Sequence, residues 1–142
     1  MTYATQAMLV KRFGEGTLVQ ITDRATPATG AIDADLVAQE LSNTDAVING
    51  YVGNRYRLPL DPVPDLVTDL ALSIAIYKLH AFAPDEKIVR DHDAAIRTLR
   101  DIASNTVKLD AAGIEPASSG ASGVLYIDRE RPLTPETLSG FI

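Results

Sequence analysis

The chain has 142 residues, of which 46% are hydrophobic and 23% are charged, as is usual for a globular protein of one domain. It has no Cys and only two His, which excludes disulfides, thiolate nucleophiles, iron–sulfur clusters and cysteine-type zinc sites. The formal net charge of −6 opposes the basic surface on which non-specific nucleic-acid binding depends. The longest apolar stretch, 70–83, is interrupted by Lys78 and His80 and is too short for a bilayer, so we expect no membrane segment. The first residues lack a secretory signal, and synthesis in the cytoplasm is the expectation.

The N-terminal part of the chain predicts short helices followed by a loop. Thr5 is placed to cap a helix that ends before Gly14, and the segment 15–21 is expected to form one or two further helical turns. Turn-forming residues without any hydrophobic period fill 22–30. This segment is therefore predicted to be an exposed loop.

A long amphipathic helix is predicted from Asp33 to about Tyr56. Asp33 is a good N-cap because its carboxylate can accept the free amide hydrogens of the first turn. Apolar residues then recur at steps of three and four. Gly50 and Gly53 weaken the last turns and indicate close packing or a bend.

A proline-rich connector separates this helix from the most apolar segment of the chain. Each Pro in 58–64 removes an amide donor and holds its predecessor extended, so this run cannot be helix interior. Pro64 suits the first position of the next helix. That helix is apolar on nearly every side as far as Phe82, and it is predicted to be the centre of the core.

The last predicted helix starts at Pro84–Glu86, where carboxylates favour the N-terminal dipole, and runs to about Ser104. Its inward positions are predicted to be Ile88, Ala95, Ile96, Leu99 and Ile102. Its outer face offers three ion pairs at i,i+4 spacing, Glu86 with Arg90, Lys87 with Asp91, and Asp93 with Arg97.

The pattern changes after Lys108. Small residues fill 110–123 and predict a mobile linker, while 124–127 has strand-like character and 134–138 resembles a capped helical turn. The chain is thus divided into a helical bundle domain, 1–108, and a flexible linker with a C-terminal interaction segment, 109–142. The predicted fold class is mainly α, a compact bundle of four to five helices with a flexible tail that includes a possible short strand. Ordering such a tail costs backbone entropy, which burial against a partner would offset.

The usual signatures of enzyme chemistry are missing from the sequence. Phosphate-binding loops, dinucleotide fingerprints, zinc-protease motifs and nucleophile elbows do not occur. Asp65 and Asp69 lie four apart and could imitate an acid/base or metal pair, but ordinary first-turn placement is favoured. His92 is expected to be a packed, hydrogen-bonded residue and His80 a favourable cation at a helix C-terminus. We therefore predict no enzyme activity and no catalytic, cofactor-binding or metal-binding residues.

Two charged clusters are candidates for partner contacts. Arg55, Tyr56 and Arg57 suit a nucleic-acid backbone or a carboxylate-lined protein, although a basic helix C-terminus explains them equally well. The alternating charges of 128–131 carry the same ambiguity, since they are either merely solvated or paired across a subunit boundary. The acidity of the whole chain favours protein contacts for both clusters.

The order of segments resembles a known family. A long helix ends in 51–60 (YVGNRYRLPL), and Pro64 opens a helix that contains 74–79 (IAIYKL). The ending 131–141 (RPLTPETLSGF) is also similar, although Pro132 and Pro135 depart from the family's pattern. In these features the chain resembles the head-tail joining (neck) proteins of Mu-like phages and prophages.

The resemblance implies a structural connector subunit that is made in the cytoplasm of the host bacterium and lies in the virion neck after assembly. Its implied partners are copies of itself in a ring, expected to be roughly twelvefold, together with the portal and tail-completion proteins. DNA would pass through the ring lumen without sequence-specific binding, and no membrane would be involved. The predicted partner-binding residues are Arg55, Tyr56, Arg57, Tyr126, Arg129, Arg131, Leu138 and Phe141.

Two other functions stay open at this point. A small helical DNA-packaging or regulatory module, such as a terminase-like factor, requires a local basic face, which the sequence offers only at 54–57. A hydrolase that uses Asp65, Asp69 or His92 is the weaker alternative.

Overall fold

The structure is a computed structural model that describes residues 2–109. It contains five helices in this range, α1 (Gln6–Phe13), α2 (Glu15–Thr22), α3 (Ala34–Val52), α4 (Asp65–Leu79) and α5 (Glu86–Ala103). No strand occurs among these residues. The prediction of a mainly α, compact bundle is confirmed for this part of the chain. The predicted linker, strand and C-terminal helical turn lie outside the described residues.

The helix starts follow the predicted caps. Thr5 Oγ1 accepts a hydrogen bond from the Met8 amide at 3.3 Å, and Asp33 Oδ1 accepts one from the Leu36 amide at 3.0 Å. Each satisfies one of the free amides of a first helical turn. Between α1 and α2 the chain turns at Gly14, whose φ of 89° is the left-handed region that favours glycine. The two short helices at the N-terminus are therefore set by one capping hydroxyl and one glycine.

Helix α4 is the centre of the bundle, as predicted. It packs against α3 and α5, and α1 lies against both α3 and α4. Residues on every side of it are buried, namely Val67, Leu70, Ala71, Leu72, Ser73, Ile74, Ala75, Ile76 and Leu79. A helix that is apolar all round belongs in a core, and this one is enclosed by its neighbours.

Helix α5 packs against α4 through one stripe of mostly apolar side chains. Ala95, Leu99 and Ile102 are buried, and Ile88 and Ile96 pack at the edge of the core, so all five predicted inward positions face the bundle. Of the three predicted i,i+4 pairs, the ion-pair geometry is present only for Lys87 with Asp91. Exposed pairs of this kind contribute little because water screens them.

Two helix ends were predicted wrongly. Helix α3 ends at Val52 rather than near Tyr56, because Gly53 is its C-cap and the amides of Arg55 and Tyr56 both bond the Val52 carbonyl in a turn. Helix α4 ends at Leu79 rather than at Phe82, because His80 adopts an extended backbone and caps the helix. Pro64 was predicted to occupy the first helical position of α4, but it is the N-cap, one position earlier.

Candidate interaction surfaces

In the turn that joins α3 to α4, the three residues of the predicted Arg55–Arg57 cluster differ in burial. Tyr56 is only 3% exposed, and its hydroxyl oxygen accepts a hydrogen bond from the Leu109 amide at 3.0 Å. This bond holds the end of the described chain against the bundle, and Leu109 itself is buried. Tyr56 is therefore a core residue here, and the predicted partner contact by its ring is not supported by its position. The sequence pattern did not reveal this because an aromatic between two arginines is equally typical of a surface.

Arg55 also serves the fold. Its side chain is half-buried, and Nε donates a hydrogen bond to the Ala103 carbonyl at 3.3 Å. That carbonyl lies in the last turn of α5, where helix carbonyls lack partners within the helix. The guanidinium thus ties the C-terminal ends of α3 and α5 together, which leaves only part of it for a partner.

Arg57 and Leu58 face solvent on the same turn. Both side chains are exposed, whereas Leu60, two residues later, is fully buried. A surface turn that is held by a buried residue on each side presents its exposed groups at a fixed position. We call Arg57 and Leu58 the turn surface. Of the predicted cluster, Arg57 is the residue best placed for a partner.

The end of the bundle that carries the turn surface has further exposed charges. Arg100 in the last turn of α5 and Lys108 are exposed, as are Asp61 and Asp65 at the entry to α4. The two signs are therefore mixed, and the cations slightly outnumber the acids once Arg57 is included. Such a mixture suits a polar protein interface better than a phosphate backbone.

The five other predicted partner residues, Tyr126, Arg129, Arg131, Leu138 and Phe141, lie outside the described residues. Their role in partner binding stays a prediction.

The residues considered for chemistry are engaged in ordinary structural contacts. Asp69 forms an ion pair with Arg12, which links α4 to α1. His92 stacks on Tyr77 with ring centroids 4.0 Å apart, and its Nδ1 lies 3.2 Å from Asp93 Oδ1. His80 Nδ1 lies 2.7 Å from the Ile76 carbonyl at the end of α4. Both histidines are thus placed as the sequence predicted. Within the described part of the chain, no three His, Cys, Asp or Glu side chains come together as a metal site would need.

The loop after α4 holds an exposed aromatic that the sequence analysis missed. Phe82 was assigned to the apolar face of the central helix, but it lies beyond the helix end and is 90% exposed. Its neighbours Ala81 and Ala83 are exposed as well. The signal was the Pro two residues later, which disfavours helix for Ala83 and so leaves Phe82 near the start of a loop. An aromatic this exposed is a candidate for partner contact.

The N-terminal segment is bound to α3 by a buried carboxylate. The Tyr3 amide donates to Asp45 Oδ1 at 3.0 Å, and the Tyr3 hydroxyl donates to the side-chain oxygen of Asn49. Burial raises the pKa of Asp45, and the hydrogen bond from the Tyr3 amide opposes that rise. Asp45 is 8% exposed, so this contact is protected from solvent. It fixes the position of residues 2–5 along α3.

Comparison with known proteins supplies the family. The family model described as "Bacteriophage Mu, Gp36" matches residues 3–126, which is most of the chain. The protein belongs to the Mu-like phage gp36 family. The resemblance to Mu-like phage proteins is thereby confirmed at the level of the family. The matched range includes the turn surface and Phe82.

Two relatives align over nearly the whole chain. "Gene product J" of Escherichia phage Mu is 27% identical over 142 residues, covering 100% of both proteins. The "Mu-like prophage FluMu protein gp36" of Haemophilus influenzae (strain ATCC 51907 / DSM 11121 / KW20 / Rd) is 27% identical over 140 residues, covering 99% of this chain and 98% of the relative. Among residues 2–109, none of the helices of this gp36 family member combines the length and apolar character of a bilayer crossing.

Proposed function

We propose that this gp36 family member is a structural virion assembly protein without enzyme activity, a connector subunit that joins the phage head to the tail. The observation that carries the proposal is the match over the full length of a phage Mu gene product. A phage protein of this size that folds as a compact helical bundle with rigidly held surface turns suits a role in contacts with other virion proteins.

The proposed partners are further copies of the same chain in a ring at the portal, the portal protein and the tail-completion proteins. The protein would be made in the host cytoplasm and reside in the virion neck. The turn surface supports this proposal because Arg57 and Leu58 are exposed while the residues on either side are anchored in the bundle. A cation next to an apolar group is typical of a protein interface.

The C-terminal residues 109–142 are proposed to supply the remaining contacts, through Tyr126, Arg129, Arg131, Leu138 and Phe141. The negative net charge suits the passage of DNA through a ring, since carboxylates around the lumen would repel phosphates. A ring reconstruction tests this idea directly, and a strongly basic lumen would contradict it.

The test of the proposed function is deletion of the gene in the phage or prophage that encodes it, followed by electron microscopy of the lysate. We expect DNA-filled heads and separate tails, because a missing connector blocks joining and not capsid filling. Complementation with Arg57→Ala plus Leu58→Ala should give fewer joined particles than the exposed control Ala46→Ser. Normal joined particles without the gene would overturn the proposal.

The same lysates test a second candidate function, a DNA-packaging factor. The exposed cations Arg57, Arg100 and Lys108 at one end of the bundle favour it locally. A packaging factor predicts empty heads instead of filled ones when the gene is deleted. It also predicts tight, saturable DNA binding at physiological salt, which a gel-shift measurement with the purified protein would detect.

A further inference from the structure

The chain beyond α5 passes onto the turn that joins α3 to α4. After the end of α5, Asn105 adopts a φ of 65°, in the left-handed region that glycine and asparagine enter more readily than other residues. The amides of Thr106 and Val107 both bond the Asp101 carbonyl, at 2.8 and 3.1 Å. This local turn ends the helix and directs the chain to the α3–α4 turn, where Leu109 is buried.

Two consecutive residues of the α3–α4 turn hold the two ends of this segment, residues 104–109, which we call the strap. Arg55 Nε donates to the Ala103 carbonyl at 3.3 Å, immediately before the strap begins. The Tyr56 hydroxyl accepts a hydrogen bond from the Leu109 amide at 3.0 Å, where the strap ends. Arg55 and Tyr56 are themselves fixed, because both of their amides bond a carbonyl in the last turn of α3. The strap therefore closes on a firmly held part of the bundle.

We infer that the strap opens and closes on Tyr56 while the bundle stays folded. Among residues 2–109, the Leu109 amide is the only strap group that hydrogen-bonds to an element other than α5, since the other bonds remain within the strap or go to the end of α5. The side chains of Val107 and Leu109 add apolar contacts with the core. A segment with so few attachments opens at a lower free energy than the whole domain.

Closure of the strap sets the point from which residues 110–142 begin. Leu109 is bonded to Tyr56, which directly precedes the turn surface of Arg57 and Leu58. The next residue is joined to Leu109 by one peptide bond, so the C-terminal segment starts beside the turn surface when the strap is closed. The two regions that are proposed to bind partners then start from one end of the bundle, and opening removes this constraint. This consequence rests on the proposed function, whereas the opening of the strap does not.

Limited trypsin digestion of the purified full chain measures the opening, because the peptide bond after Lys108 lies inside the strap. Lys108 is exposed, but the closed strap buries Leu109 on the other side of that bond. Cleavage there should be at least about tenfold slower than in a synthetic peptide of residues 104–112, since it follows the population of the open form. Tyr56→Phe removes the acceptor of the Leu109 amide and should raise the cleavage rate by about tenfold, as mass spectrometry of the fragments measures.

Further variants separate strap opening from a general loss of stability. Tyr51→Phe removes the same group from a half-buried tyrosine of α3 that is not the partner of the Leu109 amide, and it should leave the rate unchanged. Asn105→Ala disfavours the left-handed turn and should raise the rate several-fold, whereas Asn105→Gly permits that turn and should raise it less. Cleavage after Arg97, within α5, reports unfolding of the bundle and should stay slow in all four variants.

Three results overturn the inference. They are cleavage after Lys108 in the parent chain as fast as in the peptide, a rate that responds to Tyr56→Phe no more than to Tyr51→Phe, or equal acceleration at Arg97 and Lys108, which indicates that strap and bundle unfold together. The particle morphology described above judges head-tail joining separately. A strap that fails the digestion tests leaves the proposed function in place, and joined particles without the gene would remove that function and leave the strap.

Discussion

The two loops that flank α4 differ in the exposure of their aromatic residues. The loop before the helix buries Tyr56 to 3% exposure and binds its hydroxyl to the Leu109 amide, whereas the loop after it leaves Phe82 at 90% exposure. Both residues lie in loops that flank α4, the most buried helix among residues 2–109. The difference shows that the path of the backbone after the last helical hydrogen bond decides whether a loop aromatic stabilises the bundle or faces solvent.

The backbone explains each outcome. After Gly53 the amides of Arg55 and Tyr56 turn back to the Val52 carbonyl, which directs the chain over the end of α3 and into the core. After Leu79 the extended conformation of His80 leads the chain away from α4. The first loop is consequently part of the fold, whereas the second leaves its aromatic ring exposed.

The largest effect is expected at Tyr56. Tyr56→Ala should lower the free energy of unfolding by roughly 3 to 5 kcal/mol, as for other large buried aromatics. Tyr56→Phe keeps the ring but removes the acceptor of the Leu109 amide, and it should cost about 1 to 3 kcal/mol. Urea denaturation followed by circular dichroism measures both. Equal losses for the two variants would mean that the hydrogen bond, and not the packed ring, holds this loop.

Replacing either of the two glycines at the end of α3 by Ala is expected to have a smaller effect on the free energy of unfolding, and the two effects have opposite signs. A Cβ on Gly53 would lie 2.8 Å from the Asn49 carbonyl oxygen and 3.2 Å from Leu58 Cδ1, while a Cβ on Gly50 meets nothing within 4 Å. Gly50→Ala should therefore stabilise the protein by up to about 1 kcal/mol through helix propensity. Gly53→Ala should destabilise it, since backbone must shift. The same denaturation curves decide this, and a stabilising Gly53→Ala would show that the first loop is not closely packed.

A third prediction concerns the buried carboxylate of Asp45, which holds the N-terminal segment on α3. Burial raises the pKa of Asp45 in the folded protein, so its contribution to stability is greatest below the unfolded value of about 3.9 and declines as pH rises through the folded pKa. Asp45→Asn should lose this dependence, and its stability relative to the parent chain should increase between about pH 3.5 and 7. Denaturation across that pH range measures the difference. A flat difference would mean that the carboxylate and the Tyr3 amide are not buried together.

Much of the fold could be predicted because its determinants are local. The hydroxyl of Thr5, the carboxylate of Asp33 and the prolines before α4 act within a few residues, and the structure places helix starts there. The two missed helix ends depended on other things. Gly53 and His80 end their helices through the backbone conformation that each residue adopts, and the apolar spacing continues past both positions.

The interaction surfaces were harder to predict for the same reason. Arg57 is exposed as expected, but the burial of Tyr56 depends on Leu109, which is 53 positions away in the chain. Phe82 was missed because its spacing continues the apolar pattern of α4, although the helix ends three residues earlier. The N-terminal segment is held on α3 by the hydrogen bond from the Tyr3 amide to Asp45, a contact across 42 positions.

The smallest effect on folding is expected at Phe82, and this contrast with Tyr56 is the sharpest test of the comparison. Phe82→Ala should change the free energy of unfolding by less than about 0.5 kcal/mol, because an exposed side chain loses few contacts. Leu79→Ala, three positions earlier and fully buried, should cost roughly 2 to 5 kcal/mol. Both are measured by denaturation at a protein concentration low enough to keep copies apart. A loss above about 1.5 kcal/mol for Phe82→Ala would mean that the ring packs on its own chain in solution. Unchanged stability would separate the two loops, since Tyr56 would then stabilise the fold and Phe82 would not.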